Sequence, residues 1–154
     1  MITVQITNHF EALQVDAAEL KKLVRTICKR FGIAHARISI GIVDDTEIGT
    51  LNQRFLGHRG PTDSLSFDLS DETEPEGQKV FDLIVNGELA AREAAQRGHA
   101  ARAELALYLT HGLLHNLGFD DARREQACRM HETEDEILQG FGYGLVYNRD
   151  RKAL

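Results

Sequence analysis

Cysteine is scarce: the 154 residues hold two, Cys28 and Cys128, each at helix-face spacing. Two isolated thiols fit a reducing cytosol better than a disulfide framework. Long apolar runs are missing as well, and none approaches the ~20 residues a membrane span needs. The first residues, MITVQITNHFEALQV, show neither a basic n-region nor an apolar h-region, so nothing marks export. The expectation is a cytoplasmic protein with no membrane partner. Positive charge is also short, with 18 Lys and Arg against 24 Asp and Glu and a formal net charge of −6. The overall field therefore does not attract nucleic acid, and any phosphate contact has to come from local Lys and Arg. No internal repeat and no linker interrupts the chain, so it reads as one domain over residues 1–154, long enough to bury a core.

What is present is an ordinary globular composition, 42% hydrophobic and 27% charged. Ile2, Val4 and Ile6 alternate with polar residues and predict a strand. From Asp16 onward, Leu20, Leu23, Val24, Ile27, Cys28 and Phe31 recur at helical spacing until Gly32. Arg37 to Val43 is a β-branched strand, and Asp44 and Asp45 can cap the helix that follows, with Ile48, Leu51 and Phe55 inward. A loop from Gly57 to Pro61 carries His58 and Arg59, and Ser64 to Leu69 alternates again. Ser70 to Gly77 is acidic and holds Pro75, which predicts a mobile loop. Val80 to Val85 is apolar enough for a strand covered on both faces. Asn86 can cap a helix from Gly87 to about Gln96, and a long apolar helix is expected from about Ala100 to Leu117. A charged helix then runs to Gln139, with Ala127, Met130, Thr133, Ile137 and Leu138 inward. Its Gly- and Tyr-rich tail is not assigned. Two basic groups, Lys21, Lys22, Arg25, Lys29 and Arg30, and Arg92, Arg97, His99 and Arg102, read as solvated helix faces. Four strands with about five or six helices make an α+β or α/β domain.

One stretch states a chemistry. In THGLLHNLGFDD, residues 110–121, His111 and His115 stand four apart on the long helix, so their rings share one face. Two imidazoles so placed can bind one zinc, as in the zincin motif. Gly118 can reverse the chain, and the acid pair Asp120-Asp121 stands where a third ligand is needed. Three protein ligands and an open position are the layout of a catalytic zinc. A zincin carries Glu directly after its first histidine as the general base, whereas here that position is Gly112, so a metalloprotease is not supported. Gly112 does let another backbone or a substrate come close.

HGLLHNLGFDD resembles the HGxLHLxGYDH motif of the YbeY endoribonucleases, the bacterial rRNA maturation factors. LNQRFLGHRGPTDSLSF, from Leu51 to Phe67, is similar to that family's LNxxYRxxDxPTDVLSF. FDLIV matches its GDIVI segment with Asp82 at the family's Asp, and RMHETEDEIL resembles its Met- and Glu-rich last helix. The resemblance spans nearly the whole chain. It implies a small mixed four-stranded sheet with helices around it, an α+β fold with a metal site at the end of a central helix. It also implies a single-strand-specific, metal-dependent endoribonuclease that matures the 3′ end of small-subunit rRNA and serves ribosome quality control. The implied partners are rRNA and the small ribosomal subunit, with ribosomal proteins or an assembly GTPase. The implied cofactor is one zinc per chain, other divalent ions being able to replace it.

The chain departs from the pattern at two places. The family's third histidine falls on Asp121, so the ligand set becomes His111, His115 and Asp121. A carboxylate there adds a negative charge, weakens the acidity of a bound water and favours harder ions such as manganese. Asp120 then supports the turn or orients a ligand histidine. The family's arginine after the aromatic is Leu56 here, and its Asp three positions on is Arg59. His111, His115 and Arg59 are accordingly the catalytic candidates, with His58, Thr62 and Ser64 beside Arg59 as phosphate contacts. For Thr62-Asp63-Ser64 a simple turn is an equally good reading. The two departures motivate a second hypothesis, a ribosome-associated assembly factor with a structural metal and weakened catalysis. A hydrolase of a small substrate is a third.

Overall fold

Three helix starts follow from short polar side chains that accept a backbone N–H, and these fix much of the chain's layout. The computed structural model describes residues 1–73 and 77–144. Asp16 accepts from Glu19 N to begin α1 (Ala17–Arg30), Asp44 from Glu47 N to begin α2 (Asp45–Leu56), and Asn86 from Leu89 N to begin α3 (Gly87–Arg97). The remaining helices are α4 (Ala101–Asn116) and α5 (Arg124–Gly140). The strands are β1 (Ile2–Asn8), β2 (Ala36–Val43), β3 (Ser64–Asp68) and β4 (Lys79–Asn86). They form one mixed sheet in the order β1-β2-β4-β3, with β1, β2 and β4 parallel and β3 antiparallel to β4. The result is a single α+β domain. Residues 74–76, including Pro75 of the expected mobile loop, and the tail from 145 onward lie outside the described residues.

Register puts one apolar set on one face. Val4 stands beside Ile38, Ile38 beside Phe81, Ile40 beside Leu83 and Ile42 beside Val85, all buried. Alternate residues of a strand point to one side, so these build the floor of the main core. Onto it pack Leu23, Val24 and Ile27 of α1, Leu109, Leu113 and Leu114 of α4, and Met130 and Leu138 of α5. The opposite face carries a smaller cluster in which Ile48 and Leu51 of α2 meet Val43, Leu65, Phe67 and Ile84. The expectation that β4 is covered on both faces therefore holds fully on the α4 side and in part on the other. Beside Asp82 and Ile84 the second face opens into an apolar hollow of about 320 Å3, bordered by Phe55, Phe67 and Leu69.

The polar joint between these layers is Asn86, which is wholly buried. Besides capping α3, its amide donates to Asp45 Oδ1 at 2.7 Å and to the Thr62 carbonyl at 3.1 Å. It thereby ties the loop before β3 to α2 and α3. The second basic group is less solvated than its sequence implies. Arg97 and His99 close over the buried Glu104, at 2.5 and 2.6 Å from its Oε1. A buried carboxylate needs such partners. Arg92 and Arg102 sit further out, paired with Asp45 and Glu19.

Candidate metal centre

α4 ends in a backbone motif that turns the chain sharply back. Gly118 N–H donates to the His115 carbonyl and Phe119 N–H to the Leu114 carbonyl, at 3.1 and 3.0 Å. Gly118 adopts φ of 98°, a conformation that favours glycine. The reversal brings Asp121 over the histidines. Asp120 stabilises the bend, its Oδ1 accepting the N–H groups of Asp121 and Ala122 at 2.7 and 3.1 Å. That is the supporting role expected for it.

His111 and His115 present Nε2 to Nε2 at 3.1 Å, and Asp121 Oδ2 lies 3.7 Å from each. The outer nitrogens are taken. His115 Nδ1 lies 3.1 Å from the Phe119 carbonyl, and His111 Nδ1 lies 2.6 Å from Glu134 Oε1. Carbonyl and carboxylate oxygens only accept, so both Nδ1 atoms carry the hydrogen and both Nε2 atoms carry lone pairs in the neutral rings. Two lone pairs and a carboxylate facing one another can share a cation, either a proton on one Nε2 or a metal ion. A tetrahedral zinc with bonds of ~2.0–2.1 Å requires ligand separations of about 3.3–3.4 Å. The observed 3.1, 3.7 and 3.7 Å bracket that value, so the donor set fits.

Charge agrees with geometry. Burial disfavours protonation of His111, but the hydrogen bond and charge of Glu134, with Asp63 and Asp121, outweigh it and raise its pKa above the ordinary 6.5. Burial likewise pushes Glu134 up, yet its hydrogen bonds to His111 and His131 hold it below the usual carboxylate value. His111, His131 and Glu134 form a second group close enough to hold a metal ion. In that group Glu134 is fully buried and already engaged by both rings. The outer group opens to solvent through Asp121, whose side chain is 43% exposed, and so leaves room for an exogenous ligand.

Around this centre, α4 lies close against β3. A Cβ added at Gly112 would stand 3.4 Å from Leu83 Cδ2 and 3.7 Å from Ser64 Oγ. Ser64, at the end of the Thr62-Asp63-Ser64 corner, thus lies against α4 next to His111. Thr62 and Ser64 hydroxyls each reach Asp63 Oδ1 at 3.5 Å, a local turn arrangement. Arg59 is exposed on the loop after α2, with no ion pair among the described residues, and nothing there ties it to the histidines. Its loop is fixed at the base, where Asn52 donates to the Gly60 carbonyl at 3.0 Å.

Helical periodicity missed Glu134 and His131. It places Thr133 inward on α5, whereas Thr133 is half-buried and Glu134 is buried in its stead. The signal was a histidine and an acid three apart on one helix, a spacing that puts both on the same face.

Comparison with known proteins decides the family. The model of the endoribonuclease YbeY family matches residues 5–142. The chain belongs to the YbeY family. An endoribonuclease YbeY from Anaeromyxobacter sp. (strain Fw109-5) is 37% identical over 141 residues, covering 92% of this chain and 73% of that protein. Another, from Beutenbergia cavernae, is 32% identical over 147 residues, covering 91% and 97%. The fold is similar to the solution structure of TM1509 from Thermotoga maritima, with a TM-score of 0.57 and 25% identity over 92% of this chain and 91% of that one. Among the described residues no helix is long and apolar enough to cross a membrane.

Proposed function

We propose that the protein is a metal-dependent endoribonuclease that cuts single-stranded rRNA during maturation of the small-subunit 3′ end. Membership of the YbeY family carries this reading, and the convergence of His111, His115 and Asp121 supports it. The relatives named above are called endoribonucleases, so an assembly factor with only a structural metal is not favoured. In this reading the protein works in the cytoplasm, with the small subunit, ribosomal proteins or an assembly GTPase as partners.

His111, His115 and Asp121 would hold one zinc, and the Asp121 carboxylate makes manganese a second candidate. When bound, such an ion supplies Lewis acidity toward a phosphoryl oxygen and toward an attacking water. The chain's own residues do the rest. Glu134 and the Phe119 carbonyl keep both Nε2 lone pairs turned inward. The β3 corner, with Thr62 and Ser64, offers hydroxyl donors to a phosphate, and His58 and Arg59 on the preceding loop are the cationic contacts in this reading.

His115→Ala should abolish both stoichiometric metal and RNA cleavage, measured by elemental analysis and a cleavage assay on the same preparations. Cleavage persisting in metal-free protein would overturn the mechanism. A preparation that binds small-subunit particles yet fails to cut with zinc, manganese or nickel would overturn the enzyme assignment.

A further inference from the structure

His131 lies outside the proposed ligand set yet is tied to it through a single buried carboxylate. Its ring stacks on His111, with centroids 5.9 Å apart and planes 12° from parallel. Its Nδ1 stands 3.1 Å from Glu134 Oε2, while Oε1 of the same carboxylate is 2.6 Å from His111 Nδ1. Glu134 comes from α5 and His111 from α4, so the carboxylate joins two helices.

We propose that His131 is a positioning residue: by donating Nδ1–H to one oxygen of Glu134, it fixes the other oxygen on His111 and so sets the ring that presents Nε2 to the cation. The inference rests on the metal reading above. An Oε1 contact alone leaves the carboxylate free to turn about its terminal torsion, which is broad. A second bond on the other oxygen removes that freedom and satisfies an acceptor on a fully buried carboxylate. His115 needs no such device, because its partner is a backbone carbonyl of the same turn. Asp121 cannot supply rigidity, being the most exposed of the three ligands. The precision of the centre therefore depends on His111, and His111 depends on the Glu134–His131 pair. Carboxylates that orient ligand histidines are worth about 10–100-fold in metal affinity, and His131 should carry a measurable part of that.

The test uses the full chain, stripped and reloaded with cobalt(II). His131→Phe keeps a ring to stack on His111 and removes the donor, while His131→Asn restores an N–H near the position of Nδ1. Cobalt affinity, read by competition with a chelator, should weaken about 10-fold or more in His131→Phe and return to within about threefold of wild type in His131→Asn. The visible cobalt spectrum should change in the first variant only. Equal affinity and spectrum in wild type and His131→Phe overturn the proposal, as does a His131→Asn variant as weak as His131→Phe. Imidazole nitrogen NMR on the metal-loaded wild type tests it with no variant at all. Both His111 and His131 should carry hydrogen on Nδ1, and a His131 protonated only on Nε2 overturns the inference. A wild-type protein that binds no cobalt overturns the metal reading itself, a separate outcome from the other failures.

Discussion

Zinc should stabilise the folded chain through the two histidines and Asp121, and the size of the effect can be estimated. The ligand atoms already stand 3.1, 3.7 and 3.7 Å apart. Reaching tetrahedral separations of about 3.3–3.4 Å requires Asp121 to approach by about 0.3 Å and the two Nε2 atoms to part by about 0.2 Å. Little reorganisation opposes binding, so the affinity should appear almost fully as stability. A ligand that binds only the native state, at about 100 times its Kd, contributes ~2.7 kcal/mol. For a chain of this size each kcal/mol raises Tm by roughly 2–4 °C. Chelator-stripped protein given zinc at that excess should therefore melt roughly 5–11 °C higher by scanning calorimetry. His115→Ala removes one of three donors from a side chain already 30% exposed, so the stripped variant should keep its fold and respond to zinc by less than about a third of that shift. A zinc response in His115→Ala equal to wild type would refute the assignment of the centre, and so would an unresponsive wild type.

Three further expectations concern the scaffold. Cys28 is fully buried and burial pushes its thiol pKa up to about 11, whereas Cys128 is exposed; a thiol reagent at pH 8 should therefore titrate one group in the native protein and two in denaturant. Gly87 opens α3 where an added Cβ would stand 2.8 Å from Ile42 Cγ2 and 3.3 Å from Phe10 Cδ2. Gly87→Ala should cost about 1–3 kcal/mol in urea unfolding, and an unchanged midpoint would show that the contact yields freely. The pH profile of the stripped protein follows from two opposed shifts. Glu134 titrates below its ordinary 4.5, so its contribution is full above that pH and is lost as pH falls through the folded value. His111 titrates above its ordinary 6.5, so its contribution is full below that pH and is lost as pH rises through the folded value. Stability from the pair thus peaks between about 4.5 and 6.5. Urea midpoints should show the peak in wild type and not in Glu134→Gln; parallel profiles would count against the pairing.

Local chemistry made much of this legible in advance. Asp16, Asp44 and Asn86 announce helix starts because each bears an acceptor one carbon from the backbone. The His111, His115 and Gly118 spacing announces a ligand pair followed by a reversal, since both depend on residues within one or two turns. What stayed hidden depends on partners far along the chain. Glu134 reads as a solvated acid on a charged helix until His111, 23 residues away, is placed against it. Arg97 and His99 read as surface cations for a different reason: Glu104 is only seven and five residues on, but its burial beneath them is set by how α4 packs. Periodicity ranks residues by hydrophobicity and therefore expels a buried ion from the face it occupies. The open half of the second sheet face was equally hidden, because Asp82 and Ile84 look alike in sequence whether α2 covers them or stops short.

The placement of the centre follows from an oddity of α4. From Ala103 to Leu114 every residue but His111 is buried, Glu104 and Thr110 included, so this stretch has no solvent-facing side of its own. A helix apolar all round has to be enclosed, and α4 is: β3 and β4 lie beneath it, with α1, α3 and α5 around it. Enclosure holds the middle of the helix rigid and leaves its first turn and its C-terminal end partly open to solvent. His111 and His115 lie toward that C-terminal end, so their spacing is set by a buried rod while their rings are partly exposed. A surface helix with the same two histidines would offer the same ligands on a mobile support. Groups that must hold one geometry within a few tenths of an ångström belong on rigid elements. The burial of residues 103–114 therefore supports the candidate site, and a polar substitution at the fully buried Leu109, such as Leu109→Asn, should weaken metal binding, read by chelator competition, along with the fold, read by urea unfolding.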